Sequence, residues 1–445
     1  MLLETAIQLL WLWTDAGLQL LTQPFYYISI LFVMMFYRRQ VLLERKLFHV
    51  RLHAWGRQTW RTVLGGLAAG LAVSIVVAFL GVSLSLEAIL CIWITALILM
   101  LFRIRFLCFA YAIGLLGLIQ GALSLFPSWQ PQPLWLEAAV SAIRGLDIPS
   151  LLALSAVLHF AEAMLIMIQG AGFATPLFLE GKRGKLVGGY HMQSFWPLPL
   201  FLLVPAAEGG GMLPWTPFFG GDAWSGGFTM LALPAMIGFG EMTQSMLPKE
   251  KARVTSRRMV VYAAIVLILS LLAEWWSPVM FVAALAALVL HEGLTWHSRY
   301  EEQQRSPVFV HPAQGLRILA VLPNSPASEL GLLAGETILK VNGTLVHSKE
   351  QLHAALRQNP AFCKLEVQNH EGESKFVQRA IYAGEHHQLG AIVAPDPNDG
   401  IAVQLKPISL VALIANKLHV GGRQGASSRK RKGKIHSEAD KSMDL

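Results

Sequence analysis

The chain has 445 residues, of which 54% are hydrophobic and only 14% charged, and its formal net charge is +8. That balance excludes an ordinary soluble globule, because apolar runs with so little interspersed charge aggregate in water. The three cysteines, Cys91, Cys108 and Cys363, are too scattered for a disulfide framework or a zinc site.

Apolar residues fall in blocks as far as about Leu290, and from Ser298 onward the composition is that of a globular domain. Crossing about 30 Å of hydrocarbon takes roughly 20 apolar residues in a helix, which satisfies its own backbone there. In chain order, segments 18–37, 62–84, 86–102, 106–126, 148–170, 195–207, 227–242, 259–276 and 278–290 are candidates, giving a polytopic α-helical membrane domain of about eight spans. Pro197, Pro199 and Pro205 crowd one segment and Pro234 interrupts the next, which predicts kinked or re-entrant helices. Segment 5–21, with Asp15 in its middle, is either a further span or an interfacial helix. No cleavable signal peptide is expected, since no basic residue precedes Arg38.

Lys and Arg near span ends stay in the cytoplasm, and here they alternate cleanly. Basic connections hold Arg38, Arg39, Arg45, Lys46, Arg51, Arg57 and Arg61, then Arg103 and Arg105, then Lys182, Arg183 and Lys185, then Lys249, Lys251, Arg253, Arg257 and Arg258. Segment 127–147 carries only Arg144, and 208–226 has no Lys or Arg at all. Everything after Leu290 is therefore expected in the cytoplasm, and Lys182, Arg183 and Lys185 form a basic cytoplasmic loop.

From Val308 the pattern changes to short strands and turns. Segment 315–322 reads as a strand, and Ser325-Pro326 caps and opens a short helix over 327–332. A strand over 337–341 ends at Asn342-Gly343, a pair suited to a two-residue hairpin turn. Ser348 caps a second helix that places Leu352 and Leu356 on one face, and strands over 364–368 and 374–380 turn at Glu371-Gly372. This order of Ser-Pro-Ala, Gly-Leu, Gly-Glu and Val-Asn-Gly resembles the bacterial PDZ domain. The resemblance implies a groove that takes an extended peptide as an added strand. The groove is expected between Val308, Phe309, Val310 and His311 on one side and Leu352 and Leu356 on the other. No clear Gly-hydrophobic-Gly-hydrophobic loop marks a carboxylate cradle, so C-terminal and internal peptides both stay open as ligands. A plainer alternative is that the module only packs on the membrane part.

The expected layout is a multi-span membrane domain over 1–292, a linker over 293–307, a small β-rich PDZ-like domain over 308–383, an extension over 384–420 and a basic tail over 421–445. The tail, with Arg429, Lys430, Arg431, Lys432 and Lys434, suits anionic lipid headgroups of the cytoplasmic membrane better than nucleic acid.

No catalytic set stands out. His291-Glu292 is followed by His297, six residues on and off the helix face that a zinc-protease motif needs. His159 and Glu162 share a helix face as a polar contact between spans or a proton or ion site, and His386-His387 is read as surface. Neither a metal nor a cofactor is expected.

Several segments together resemble the MinJ family of cell-division topological determinants of Gram-positive rods. They are 45–51 (Arg-Lys-Leu-Phe-His-Val-Arg), 181–193 (Gly-Lys-Arg-Gly-Lys-Leu-Val-Gly-Gly-Tyr-His-Met-Gln), 195–200 (Phe-Trp-Pro-Leu-Pro-Leu) and 386–390 (His-His-Gln-Leu-Gly). The resemblance implies a membrane scaffold at septum and poles that links a DivIVA-like polar protein to the MinCD inhibitor through a MinD-like ATPase. The rival expectations are a PDZ-containing membrane protease or its inactive relative, and a transporter or sensor.

Overall fold

In the computed structural model of the protein, which describes residues 2–129, 131–181, 184–205, 215–219, 227–359, 361–382 and 389–396, the first apolar blocks are helices. α1 (Leu2–Thr22) meets α2 (Pro24–Phe48) at a 63° bend, since Pro24 has no amide hydrogen to continue α1 and is suited to open α2. α3 (Trp55–Leu80) follows a turn closed by the buried Glu44 carboxylate, which accepts the Leu52 and His53 amides at 2.9 and 3.1 Å.

α4 (Leu86–Phe102), α5 (Phe109–Ser124) and α6 (Leu134–Arg144) belong to a separate unit. Within it, Gln120 donates to the carbonyls of Ile143, Arg144 and Leu146 at 3.0, 3.1 and 2.7 Å, closing the end of α6.

In the larger unit, α7 (Ile148–Gln169) starts at Asp147, whose carboxylate accepts the Ser150 amide at 3.2 Å. α8 (Pro248–Trp275) and α9 (Pro278–Gln304) each open on proline. By length and composition, α3, α7 with the turn after it, α8 and α9 are 4 helices able to cross a membrane, or up to 5 if the bent α1–α2 pair is one span. The expected count of about eight is not reached among the described residues.

Of segments 195–207 and 227–242, expected as kinked spans, residues 195–205 and 228–242 are strand instead. β1 (Ala174–Glu180), β2 (Leu186–Pro205) and β3 (Phe228–Thr243) form an antiparallel sheet in that order. The reason lies in the prolines. In a helix each would remove a bond and clash with the preceding turn, whereas on a strand edge a missing amide hydrogen is an advantage.

β1 covers β2 only as far as Met192, and α3 packs against β2 further along. Pro197 and Pro199, two residues apart, present the same edge and have no amide hydrogen to leave unpaired. The next amide on that edge, Phe201, donates to Ser74 of α3 at 2.8 Å. Gly66, Gly70 and Ser74 share one face of α3, and a Cβ on either glycine would run into the carbonyl oxygen of Pro197 or Pro199. Beyond β3, Gln23 donates to the Ala232 carbonyl at 2.9 Å. Tyr37 binds both Thr62 at 2.9 Å and Ser194 at 2.8 Å, tying α2, α3 and β2 together.

The C-terminal module follows the sequence closely. β4 (Leu316–Val321), α10 (Pro326–Glu329), β5 (Thr337–Val341), β6 (Thr344–Leu345), α11 (Lys349–Gln358), β7 (Phe362–Gln368), β8 (Ser374–Ala380) and β9 (Ala391–Val393) succeed one another. Their sheet runs β8-β7-β5-β4-β9, with β6 beside β5. Asn342 and Gly343 take positive φ at the hairpin turn. Ser325 and Ser348 accept the Ser328 and Gln351 amides, each at 3.3 Å, as helix caps. The core joins Ile318, Ile338, Val341, Leu352, Leu356, Leu365 and Val393. β9 lies within the segment expected as an extension.

Candidate peptide-binding site

Among the described residues, β9 pairs only with β4 and forms one end of the sheet. The pairing steps from Ile318–Val393 to Ala320–Ile392, so Leu319 is an extra residue on β4, a bulge. The chain enters β9 through two fixed carbonyls. Leu389 accepts the Ala327 amide and Gly390 the Leu322 amide, both at 2.8 Å. Gly390 has φ +78, and a Cβ there would run into Ser325. Leu389, Ala391 and Val393 pack in the same apolar cluster as Leu352, Ala355 and Leu356 of α11.

Val308, Phe309, Val310 and His311 belong to no strand of this sheet. Val308 donates to the Gln244 carbonyl at 2.9 Å. Phe309 is fully buried and forms an isolated antiparallel bridge with Gly188 of β2, its carbonyl accepting the Gly188 amide at 2.7 Å. Val310 is exposed, and His311 Nδ1 lies 3.1 Å from Asp396 Oδ1. These four residues connect the module to the membrane-domain sheet.

Sequence reasoning missed the residues of β1 and β2 that meet them. Tyr190 is buried, sets its ring edge-to-face on Phe309 at 5.3 Å, and donates its hydroxyl to the Leu319 carbonyl. Burial pushes that hydroxyl above the usual tyrosine range, so it stays a donor. A Cβ on Gly188 would come within 2.9 Å of both Phe309 and Leu319. The Lys349 ammonium, at the start of α11, sits 5.4 Å from the centre of the Phe178 ring of β1. The only signal was Gly188-Gly189-Tyr190, small residues beside an amphipathic aromatic in a basic loop.

A second missed cluster holds the loop between β3 and α8. The buried Lys251 ammonium donates to Ser298 at 2.8 Å and to Glu302 at 3.2 Å, and lies 3.7 Å from Glu241. Glu302 in turn accepts the Gln244 and Ser245 amides at 3.1 and 3.2 Å. Gln244 is the residue whose carbonyl holds Val308.

Of the basic loop, Lys185 is exposed beside the β1–β2 turn, and Lys182 and Arg183 lie outside the described residues, as do His386 and His387. His291 and His297 do not converge: His297 is exposed, whereas the His291 ring lies 5.3 Å from His159 and 5.5 Å from Tyr262. His159 is buried with Nδ1 2.6 Å from the Ser155 carbonyl, and Glu162 is buried on the same helix. His159 sets its ring edge-to-face against Tyr262 of α8 at 5.2 Å and against His291 of α9 at 5.3 Å.

Residues 317–369 match the PDZ domain family. The chain is 32% identical over 391 residues to the cell division topological determinant MinJ of Bacillus subtilis (strain 168), covering 87% of this chain and 96% of that one. It is 25% identical over 369 residues to the probable MinJ proteins of Lacticaseibacillus paracasei and Lacticaseibacillus casei (strain BD-II), covering 79% of this chain and 90% of each.

Proposed function

Because the chain belongs to the MinJ family of cell division topological determinants, we propose that it is a non-catalytic adaptor of the cytoplasmic membrane. It joins a DivIVA-like polar protein to the MinCD inhibitor through a MinD-like ATPase. One observation carries this reading: a domain of peptide-binding type is fastened to a body with several helices able to cross a membrane. A scaffold needs those two parts and no active site.

In this reading the module lies in the cytoplasm, on the side of the basic connections that include Lys182, Arg183 and Lys185. The peptide adds as a strand to the outer edge of β9, with α11 as the second wall over Leu352 and Leu356. Residues 308–311 serve as the strap that holds the module rather than as the groove.

The test is a fluorescent fusion expressed from the native locus, together with a deletion. Enrichment at septa and poles and filamentous deletion cells are expected. Uniform membrane fluorescence with normal division would refute the adaptor. Two-hybrid assays against DivIVA-type and MinD-type proteins then test the two named links.

A further inference from the structure

The module is fastened to β1 and β2 at positions that bear on both walls of its groove. On the strand side, the bulge at Leu319 leaves the β4–β9 ladder irregular next to the edge strand. A bulged residue lacks its regular ladder partner, and here its carbonyl is taken by the Tyr190 hydroxyl of β2. Three residues past β9, Asp396 Oδ1 lies 3.1 Å from His311 Nδ1, two residues from the bridge to Gly188. On the helix side, Lys349 opens α11 and rests over Phe178 of β1. Phe178 is itself buried and packed edge-to-face against Phe48 of α2 at 5.4 Å.

We propose that the membrane-domain sheet sets the geometry of the peptide groove, with Tyr190 positioning the strand wall and Phe178 the helix wall. This rests on the assignment of the groove to β9 and α11. Neither residue lies within the PDZ domain match, so the groove is complete only when the module is seated on β1 and β2. Peptide affinity then depends on residues that touch no peptide, because a strand is added only to an edge whose register is fixed. Both are positioning residues.

The test uses the full chain in lipid nanodiscs and reads hydrogen exchange by mass spectrometry, so no ligand is required. Tyr190→Phe keeps the ring against Phe309 and removes only the hydroxyl. It should speed exchange over 389–396 by about tenfold, the effect of orphaning one buried carbonyl, while 362–380 stays unchanged. Phe178→Leu should do the same over 349–358. If exchange at 187–189 and 308–311 rises while 389–396 and 349–358 stay as in the wild type, the contact is mere docking and the proposal fails. Unchanged exchange everywhere also overturns it. A separate arm measures binding of a hexapeptide selected on the wild-type chain from random libraries displayed both with a free C-terminus and as internal segments. Failure to select any peptide would refute the groove assignment and leave the exchange result to decide the coupling. An unchanged Kd in Tyr190→Phe, with a binder in hand, would count against the coupling and leave the groove assignment intact.

Discussion

The Ser74 hydroxyl accepts the Phe201 amide at 2.8 Å while donating to the Gly70 carbonyl at 2.6 Å, so one small side chain joins α3 to the edge of β2. In an apolar setting no water replaces that acceptor. Ser74→Ala is expected to cost about 1–3 kcal/mol, the penalty of an orphaned buried amide. Gly70→Leu should be worse, because its side chain must displace the Pro199 backbone. Thermal unfolding of the detergent-solubilised chain measures both. A Ser74→Ala melting temperature equal to wild type would show that Phe201 has another acceptor.

The same contact explains what was legible in the sequence and what was not. Turn chemistry is local, so Ser325-Pro326, Asn342-Gly343 and Ser348 announced the C-terminal module nearly element by element. Hydropathy, in contrast, reports burial and not backbone form. Segments 195–207 and 227–242 are as apolar as spans, but Pro197 and Pro199 at a spacing of two fit a strand edge better than a kinked helix. Recognising that required the partner stripe of Gly66, Gly70 and Ser74, far away in the chain. The site was partly hidden for a related reason. β9 has only three residues and pairs with β4 across the whole module, so nothing local marks it as an edge.

Seating of the module should be sensitive to bulk at Gly188. A Cβ there meets Phe309 and Leu319 at 2.9 Å, closer than real contacts allow. Gly188→Val is therefore expected to open the bridge and raise protease cleavage within 305–315 by about tenfold, in line with the cost of overpacking. Gly188→Ala should lie between. Cleavage at the wild-type rate in Gly188→Val would mean that the bridge between Gly188 and Phe309 does not hold the strap.

Cys363 offers a pH-resolved probe of the module. Burial pushes its thiol up to about 11, against a smaller lowering by Arg379. At pH 8 the reactive thiolate is then scarcer than in a free cysteine by on the order of a hundredfold. Iodoacetamide labelling followed by peptide mapping should be slow and should keep rising with pH beyond 9. For the sign of the linkage, the folded value exceeds the unfolded one, so this thiol's stabilising contribution is complete below the unfolded value and is lost as pH climbs toward 11. A labelling rate that levels off near pH 9 would show the thiol to be open to solvent.

Lys251 is the position where removing one charge should do most harm. Its ammonium is 1% exposed and faces Glu302 and Glu241, which are themselves only 14% and 18% exposed. Lys251→Met preserves the aliphatic length but leaves both carboxylates without their cation, an imbalance of about 3–5 kcal/mol for a buried pair. Glu302 also fixes the Gln244 and Ser245 amides, so the damage should spread to the Val308 strap and raise its exchange. Glu241→Gln in the Lys251→Met background removes one of the stranded charges and should recover part of the loss, which a double-mutant cycle on melting temperature resolves. Strictly additive effects would mean that Lys251 and Glu241, 3.7 Å apart, do not interact.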